Sequence, residues 1–171
     1  MKSIILIGFM GAGKTTVGTA CSTHLNMPFL DTDLMIEEAA GMTISQIFAE
    51  KGEGEFRRIE TSVLETLLRR TEAAVISVGG GLPLLEANRR MLKQIGTVIY
   101  LEVSPETVLC RLKGDTTRPL LQGGDAEEKV NSLIAARDPV YRMAADEILN
   151  VNDCSIEDIV KELIERTGIG S

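Results

Sequence analysis

Ser3-Ile4-Ile5-Leu6-Ile7 runs straight into Gly8-Phe9-Met10-Gly11-Ala12-Gly13-Lys14-Thr15. The first stretch is a short apolar run stopped by glycine, the pattern of a strand buried on both faces. The second fits G-x-x-x-x-G-K-[ST], and residues 14–25 behind it read as a helix. Strand, glycine-rich turn and helix together make a phosphate cradle. Glycines let the backbone turn tightly and aim N–H groups at phosphate oxygens, and the helix start adds partial positive charge. Lys14 is placed to reach the β- and γ-phosphates of a nucleotide, and the Thr15 hydroxyl to ligate magnesium. Gly11, Ala12, Gly13, Lys14, Thr15 and Thr16 are the expected nucleotide-binding residues.

Outward from this turn, β-rich runs alternate with helical patterns. Further strands are expected over 28–30, 74–78, 97–101 and 147–151. Helices are expected over 34–70 with a break at Gly52-Glu53-Gly54, over 84–95, and from Pro105 to about Lys113. Asp125 caps another helix, which Pro139 is expected to disturb or end. Ser155 and Asp158 resemble a capping box for the last one. Residues 114–124 hold Gly, Asp, Thr, Pro and Gln and read as an exposed mobile loop. Such alternation predicts a three-layer α/β/α domain around a central five-stranded parallel sheet. Ligands of such sheets bind at the carboxyl ends of the strands, where the chemically notable residues fall.

The chain of 171 residues fits one domain. Its 18 basic and 25 acidic residues leave a net charge of -7, which argues against a nucleic-acid partner. A few well-placed Arg or Lys residues can still hold a small anion. Cys21, Cys110 and Cys154 are too scattered for a disulfide scaffold or a zinc site and suit a reducing compartment. No stretch approaches the roughly 20 apolar residues of a membrane span, so the sequence reads as a cytoplasmic protein with no membrane partner.

Asp31-Thr32-Asp33 follows the second strand. If the backbone stays extended, the two carboxylates point to the same side. Asp31 then suits a water-mediated magnesium contact, and Asp33 suits accepting a proton from a substrate hydroxyl. The competing reading makes either aspartate the N-cap of the following helix.

Several separated motifs now stand together: Gly8–Thr15, Asp31-Thr32-Asp33, Gly52-Glu53 with Phe56-Arg57 and Glu60, Gly79-Gly80-Gly81, Arg118-Pro119-Leu120-Leu121, and Arg137-Asp138-Pro139-Val140-Tyr141. From Ile5 to about Glu165 the chain resembles shikimate kinase, a small P-loop kinase family of aromatic amino-acid biosynthesis. The resemblance implies transfer of a phosphoryl group from ATP, with Mg2+, to the 3-hydroxyl of shikimate, giving ADP and shikimate 3-phosphate. It implies a fold like nucleoside monophosphate kinases, with a substrate-binding helical region at about 33–61 and a lid at about 113–125, in a monomer. It also implies Asp33, Arg57, Gly79, Gly80, Gly81 and Arg137 as shikimate contacts, with Lys14, Asp33 and Arg118 as catalytic groups. Arg118 is the lid arginine acting on phosphate, and Arg111 flanks the adenine. Beside the resemblance, the glycine-rich turn and the acidic pair themselves give Thr15 and Asp31 as the expected metal contacts.

The same residues have a physical reading. Shikimate carries one carboxylate and three hydroxyls, and two arginines can clamp a carboxylate through charge-assisted, often bidentate hydrogen bonds. Glu60 stands one helical turn from Arg57 and is placed to orient it; the bland alternative pairs these arginines with Glu53, Glu55 or Asp138 at the surface. A gluconate-type or nucleotide kinase on the same scaffold is the alternative function, and Asp31-x-Asp33 with Gly79–Gly81 and Arg137-x-Pro139-x-Tyr141 argues against it. The loop 150–154 before the last helix has no proline where many relatives carry one near the adenine.

Overall fold

In the computed structural model, which describes residues 2–112 and 125–170, the first strand β1 (Ser3–Ile7) is buried at every position. Successive side chains of a strand point to opposite faces, so both faces of the sheet are covered here. β1 is the centre of a five-stranded sheet whose order is β2-β3-β1-β4-β5, with every pairing parallel. The other strands are β2 (Phe29–Asp31), β3 (Val75–Ser77), β4 (Gly96–Glu102) and β5 (Glu147–Asn150). Between them run α1 (Lys14–Leu25), α2 (Thr32–Ala40), α3 (Ile44–Leu68), α4 (Glu86–Ile95), α5 (Pro105–Leu112), α6 (Ala126–Ala144) and α7 (Ile156–Thr167). A 3-10 turn, Leu82–Leu84, precedes α4. The core is aliphatic, with Ile4, Ile5, Leu6, Ile7, Val98 and Ile99 wholly buried at its centre.

The order of strands creates the site. From β1 the chain passes beyond β3's position to β2, returns to β3, then crosses to the other side of β1 for β4 and β5. The direction of winding therefore reverses around β1, and a crevice opens at the carboxyl ends of the strands beside it. The turns after β1, β2 and β3 all border that crevice.

Three sequence expectations need correction. The helical stretch after β2 starts at Thr32, two residues earlier than expected, and is divided by a Gly41 C-cap before Thr43 caps α3 with a capping box. Gly52 bends α3 with φ 84°, as its glycine suggested. Pro139 does not end α6, which continues to Ala144. Proline forfeits a backbone bond there, but tertiary contacts hold the turn beyond it. Tyr141 is buried and donates to Gly80 O, while Arg142 pairs with Asp138 and Glu102. Residues 114–124, including Arg118, lie outside the described residues.

Candidate active site

The turn after β1 is held by its own lysine. Lys14 Nζ donates to Gly8 O at 2.6 Å and to Phe9 O at 3.3 Å. Gly8 adopts φ 148°, and a Cβ there would lie 2.8 Å from Leu101 O, so the tight passage from strand to loop requires glycine. Gly13 stands at the N-cap of α1 and no side chain caps the helix. The backbone N–H groups of its first turn thus open on the crevice, the arrangement that suits phosphate oxygens.

The turn after β2 departs from the extended backbone expected through Asp33. Asp31 is the last extended residue, and its Oδ1 accepts from Asp33 N at 2.8 Å as the N-cap of α2. A short carboxylate that can bond the backbone two residues on favours early helix entry. Asp33 consequently sits in the first helical turn, yet it lines the same cavity as Asp31. Both sequence readings of Asp31 are thus compatible, because the cap engages one oxygen of two. Buried Thr32 joins this turn to the next, its Oγ1 accepting from Gly79 N at 3.2 Å.

The Gly79–Gly81 turn after β3 is crowded by functional side chains. A Cβ on Gly79 would lie 2.9 Å from Asp33 Oδ1, one on Gly80 3.2 Å from Arg137 Nη1, and one on Gly81 would overlap the Arg57 guanidinium. Glycine is needed here for close approach. Arg57 Nη1 donates to Glu60 Oε1 at 2.8 Å, and Arg57 Nη2 lies 3.5 Å from Glu53. Arg137 is only 6% exposed, with its guanidinium 5.7 Å from the Phe9 ring centroid. That burial rules out a surface pairing for Arg137, whereas Arg57 combines its Glu53 pairing with a place at the cavity wall.

These groups meet in one cavity of about 630 Å³. Its lining includes the whole 11–16 turn, Asp31, Asp33, Arg57, Glu60, Gly79–Gly81 and Arg137. Arg111 stands to one side rather than in the lining, donating to Gly11 O at 2.8 Å and to Val151 O at 3.5 Å. It therefore bridges the glycine-rich turn and the segment after β5. Among the described residues, no helix is long and apolar enough to cross a membrane.

The arrangement is a glycine-rich turn with its lysine facing two arginines and a carboxylate, and known proteins are similar to this chain along nearly its whole length. The family model for shikimate kinase matches residues 10–167. A shikimate kinase of Neisseria gonorrhoeae is 45% identical over 95% of this chain and 94% of its own. One of a Sulfurihydrogenibium species is 43% identical over 97% of this chain and 98% of its own. The solved structure of the Acinetobacter baumannii shikimate kinase in complex with shikimate superposes with a TM-score of 0.92 at 40% identity, covering 98% of this chain and 93% of that one. The chain belongs to the shikimate kinase family.

It is accordingly an ATP-dependent kinase with the P-loop fold. Membership also sets aside the gluconate-type and nucleotide-kinase alternatives. Within this shikimate kinase site, three features escaped sequence reading. Phe48 and Phe56 line the cavity as a ring pair with centroids 4.8 Å apart. They lie on either side of the Gly52 bend, so no helical period links them; Phe56 stands in the motif with Arg57, and nothing in the sequence pairs it with Phe48. The second is the contact made by Tyr141, which the sequence offers only as the last residue of the Arg137-x-Pro139-x-Tyr141 motif, one helical turn after Arg137. The third is the depth of Glu60, which is 1% exposed on an otherwise partly charged stretch of helix.

Burial pushes the Glu60 carboxyl from 4.5 up to about 6, with Arg57 pulling it down and Asp33 adding to the rise. The folded form thus holds its proton at higher pH than the unfolded chain. Stability from this group is full below about 4.5 and is lost as pH rises through about 6. The loss amounts to about 2 kcal/mol. Urea titrations between these limits should show that slope in the native chain and not in Glu60→Gln; an unchanged slope in the variant would assign it elsewhere.

Proposed function

We propose that this chain transfers the γ-phosphoryl group of ATP to the 3-hydroxyl of shikimate, supplying aromatic amino-acid biosynthesis. The observation that carries this reading is the single cavity shared by the 11–16 turn, Asp33, Arg57, Gly79–Gly81 and Arg137. A triphosphate tail and an acidic polyol fit face to face in it. Phosphoryl transfer asks a protein mainly to position groups and stabilise charge. Lys14 and the N–H groups of the turn neutralise the phosphates. Arg57 and Arg137 hold the shikimate carboxylate, and the Gly79–Gly81 backbone lets the ring come close. Asp33 orients the acceptor hydroxyl and takes its proton. Phe48 and Phe56 supply an apolar wall at the acceptor end, so residues 33–61 form the acceptor-binding region.

Mg2+ fits the same site. Thr15 and Asp31 both line the cavity, and no group of three His, Cys, Asp or Glu among the described residues could hold a metal by itself. A hard cation bound chiefly through nucleotide phosphates and water needs only such a sparse set. When bound it would neutralise phosphate charge, with Thr15 and Asp31 as its protein contacts.

The deciding experiment is ADP release coupled to a dye, with shikimate, quinate and gluconate compared side by side. Acceptor-dependent release with shikimate well above the others is expected; comparable turnover of gluconate would overturn the assignment. Arg57→Ala should raise KM for shikimate about tenfold to a hundredfold, the size of a lost charge-assisted pair, with KM for ATP unchanged. An effect confined to ATP would move the carboxylate clamp elsewhere.

A further inference from the structure

The Tyr141 hydroxyl joins two parts of the acceptor site that come from distant stretches of chain. It donates to Gly80 O at 2.5 Å, across 61 residues of sequence. The Arg137 guanidinium, one helical turn back on α6, donates to the Tyr141 hydroxyl oxygen. The proximity is independent of either bond, because a Cβ on Gly80 would lie 3.2 Å from Arg137 Nη1 and 3.4 Å from Tyr141 Oη. The ring beneath the hydroxyl is 1% exposed and packs 5.1 Å from the Tyr100 ring, so its position is fixed by the core.

We infer that Tyr141 is a positioning residue for shikimate: its hydroxyl locks the Gly79–Gly81 turn and the Arg137 guanidinium into one preformed acceptor site. The logic is that of a shared bridge. Arg137 is long, flexible and nearly buried, and a guanidinium clamps a carboxylate well only when its plane is held. The Gly80 carbonyl belongs to a turn of three glycines, which has no side chains of its own to anchor it and depends on those of its neighbours. One rigid phenol, accepting from the first and donating to the second, removes freedom from both before substrate arrives. Ordering that is already present in the free protein need not be supplied on binding. Tyr141 is not part of the cavity lining that includes the 11–16 turn, and its hydroxyl bonds Gly80 O instead, so its effect falls on the acceptor. This also explains why α6 runs on past Pro139: the turn beyond the proline carries the bridging hydroxyl.

The inference rests on the reading of Arg137 as a carboxylate clamp, and the test separates the two. Tyr141→Phe deletes one oxygen and leaves the ring packing intact. Shikimate KM, and shikimate Kd by titration calorimetry, should rise about tenfold, the size of a lost buried hydrogen bond to a charged group. Values of kcat at saturating shikimate and KM for ATP should stay within about twofold. Tyr100→Phe is the control: it removes the neighbouring hydroxyl, which bonds Asp138 at 2.8 Å and not the turn, and should leave shikimate KM unchanged. An unaltered shikimate KM in Tyr141→Phe overturns the inference, as does an equal rise in Tyr100→Phe, which would mark general loosening of the core. Arg137→Lys tests the underlying reading. If it leaves shikimate binding intact, the clamp itself fails; if it weakens binding while Tyr141→Phe does not, only the bridge fails.

Discussion

Lys14→Ala should lower kcat by about a thousandfold or more, with far-UV circular dichroism and Tm close to those of the native chain. The ammonium sits at the floor of the cavity, bonded to Gly8 O at 2.6 Å and Phe9 O at 3.3 Å. That geometry holds a positive charge against two backbone carbonyls at the cavity wall, from which it can turn toward phosphate oxygens. A preorganised charge aimed at developing negative charge contributes several kcal/mol to transition-state stabilisation, and alanine replaces it with nothing. The fold should persist because the strand before the loop is anchored by β3 and β4 on its two sides, not by this side chain. Native-like turnover in Lys14→Ala would remove the phosphate cradle from the mechanism. A collapse of Tm would instead show that the lysine is chiefly a staple of the loop.

Asp33→Asn should lower kcat about a hundredfold to ten-thousandfold, the range of a lost general base, with a smaller change in KM for ATP. Asparagine preserves shape and the helical first turn, so packing against Gly79 is kept. What disappears is the ability to accept a proton and the negative charge that polarises an acceptor hydroxyl. The same substitution has a second readout. Asp33 contributes to the raised pKa of buried Glu60, so removing its charge should shift the Glu60 stability slope toward lower pH. An unchanged kcat would mean that Asp33 neither orients nor deprotonates the acceptor. A kcat loss without the pH shift would separate the two carboxylates electrostatically.

Much of the architecture was legible because local signals agreed. An apolar run ending in glycine gave β1 to the residue, and residues 14–25 gave α1. Ser155 caps α7 by accepting from Asp158 N at 3.1 Å, as the spacing suggested. Asp125 likewise caps α6. The local proline rule fails at Pro139 because that turn is governed by partners far away in sequence, whereas Asp33 follows the local N-cap at Asp31, the competing reading of that turn. Pro139 lies within a helix whose end is held by Gly80 and Glu102. Asp33 enters a helix because Asp31 caps it, and the cavity gathers both carboxylates by a route that an extended backbone would not have taken.

The chemistry that the site can perform was written in the chain itself, since a phosphate cradle needs a contiguous turn of glycines, lysine and threonine with a strand before it and a helix after. Contiguous groups need no fold to bring them together. How Arg57 and Arg137 come to one cavity, how deeply Glu60 is desolvated, and which hydroxyl stands between Gly80 and Arg137 depend on the sheet order 2-3-1-4-5, which brings β3's turn, α3 and α6 to one edge. Burial and long-range hydrogen bonds are properties of neighbours, and neighbours separated by dozens of residues exist only once the chain has packed.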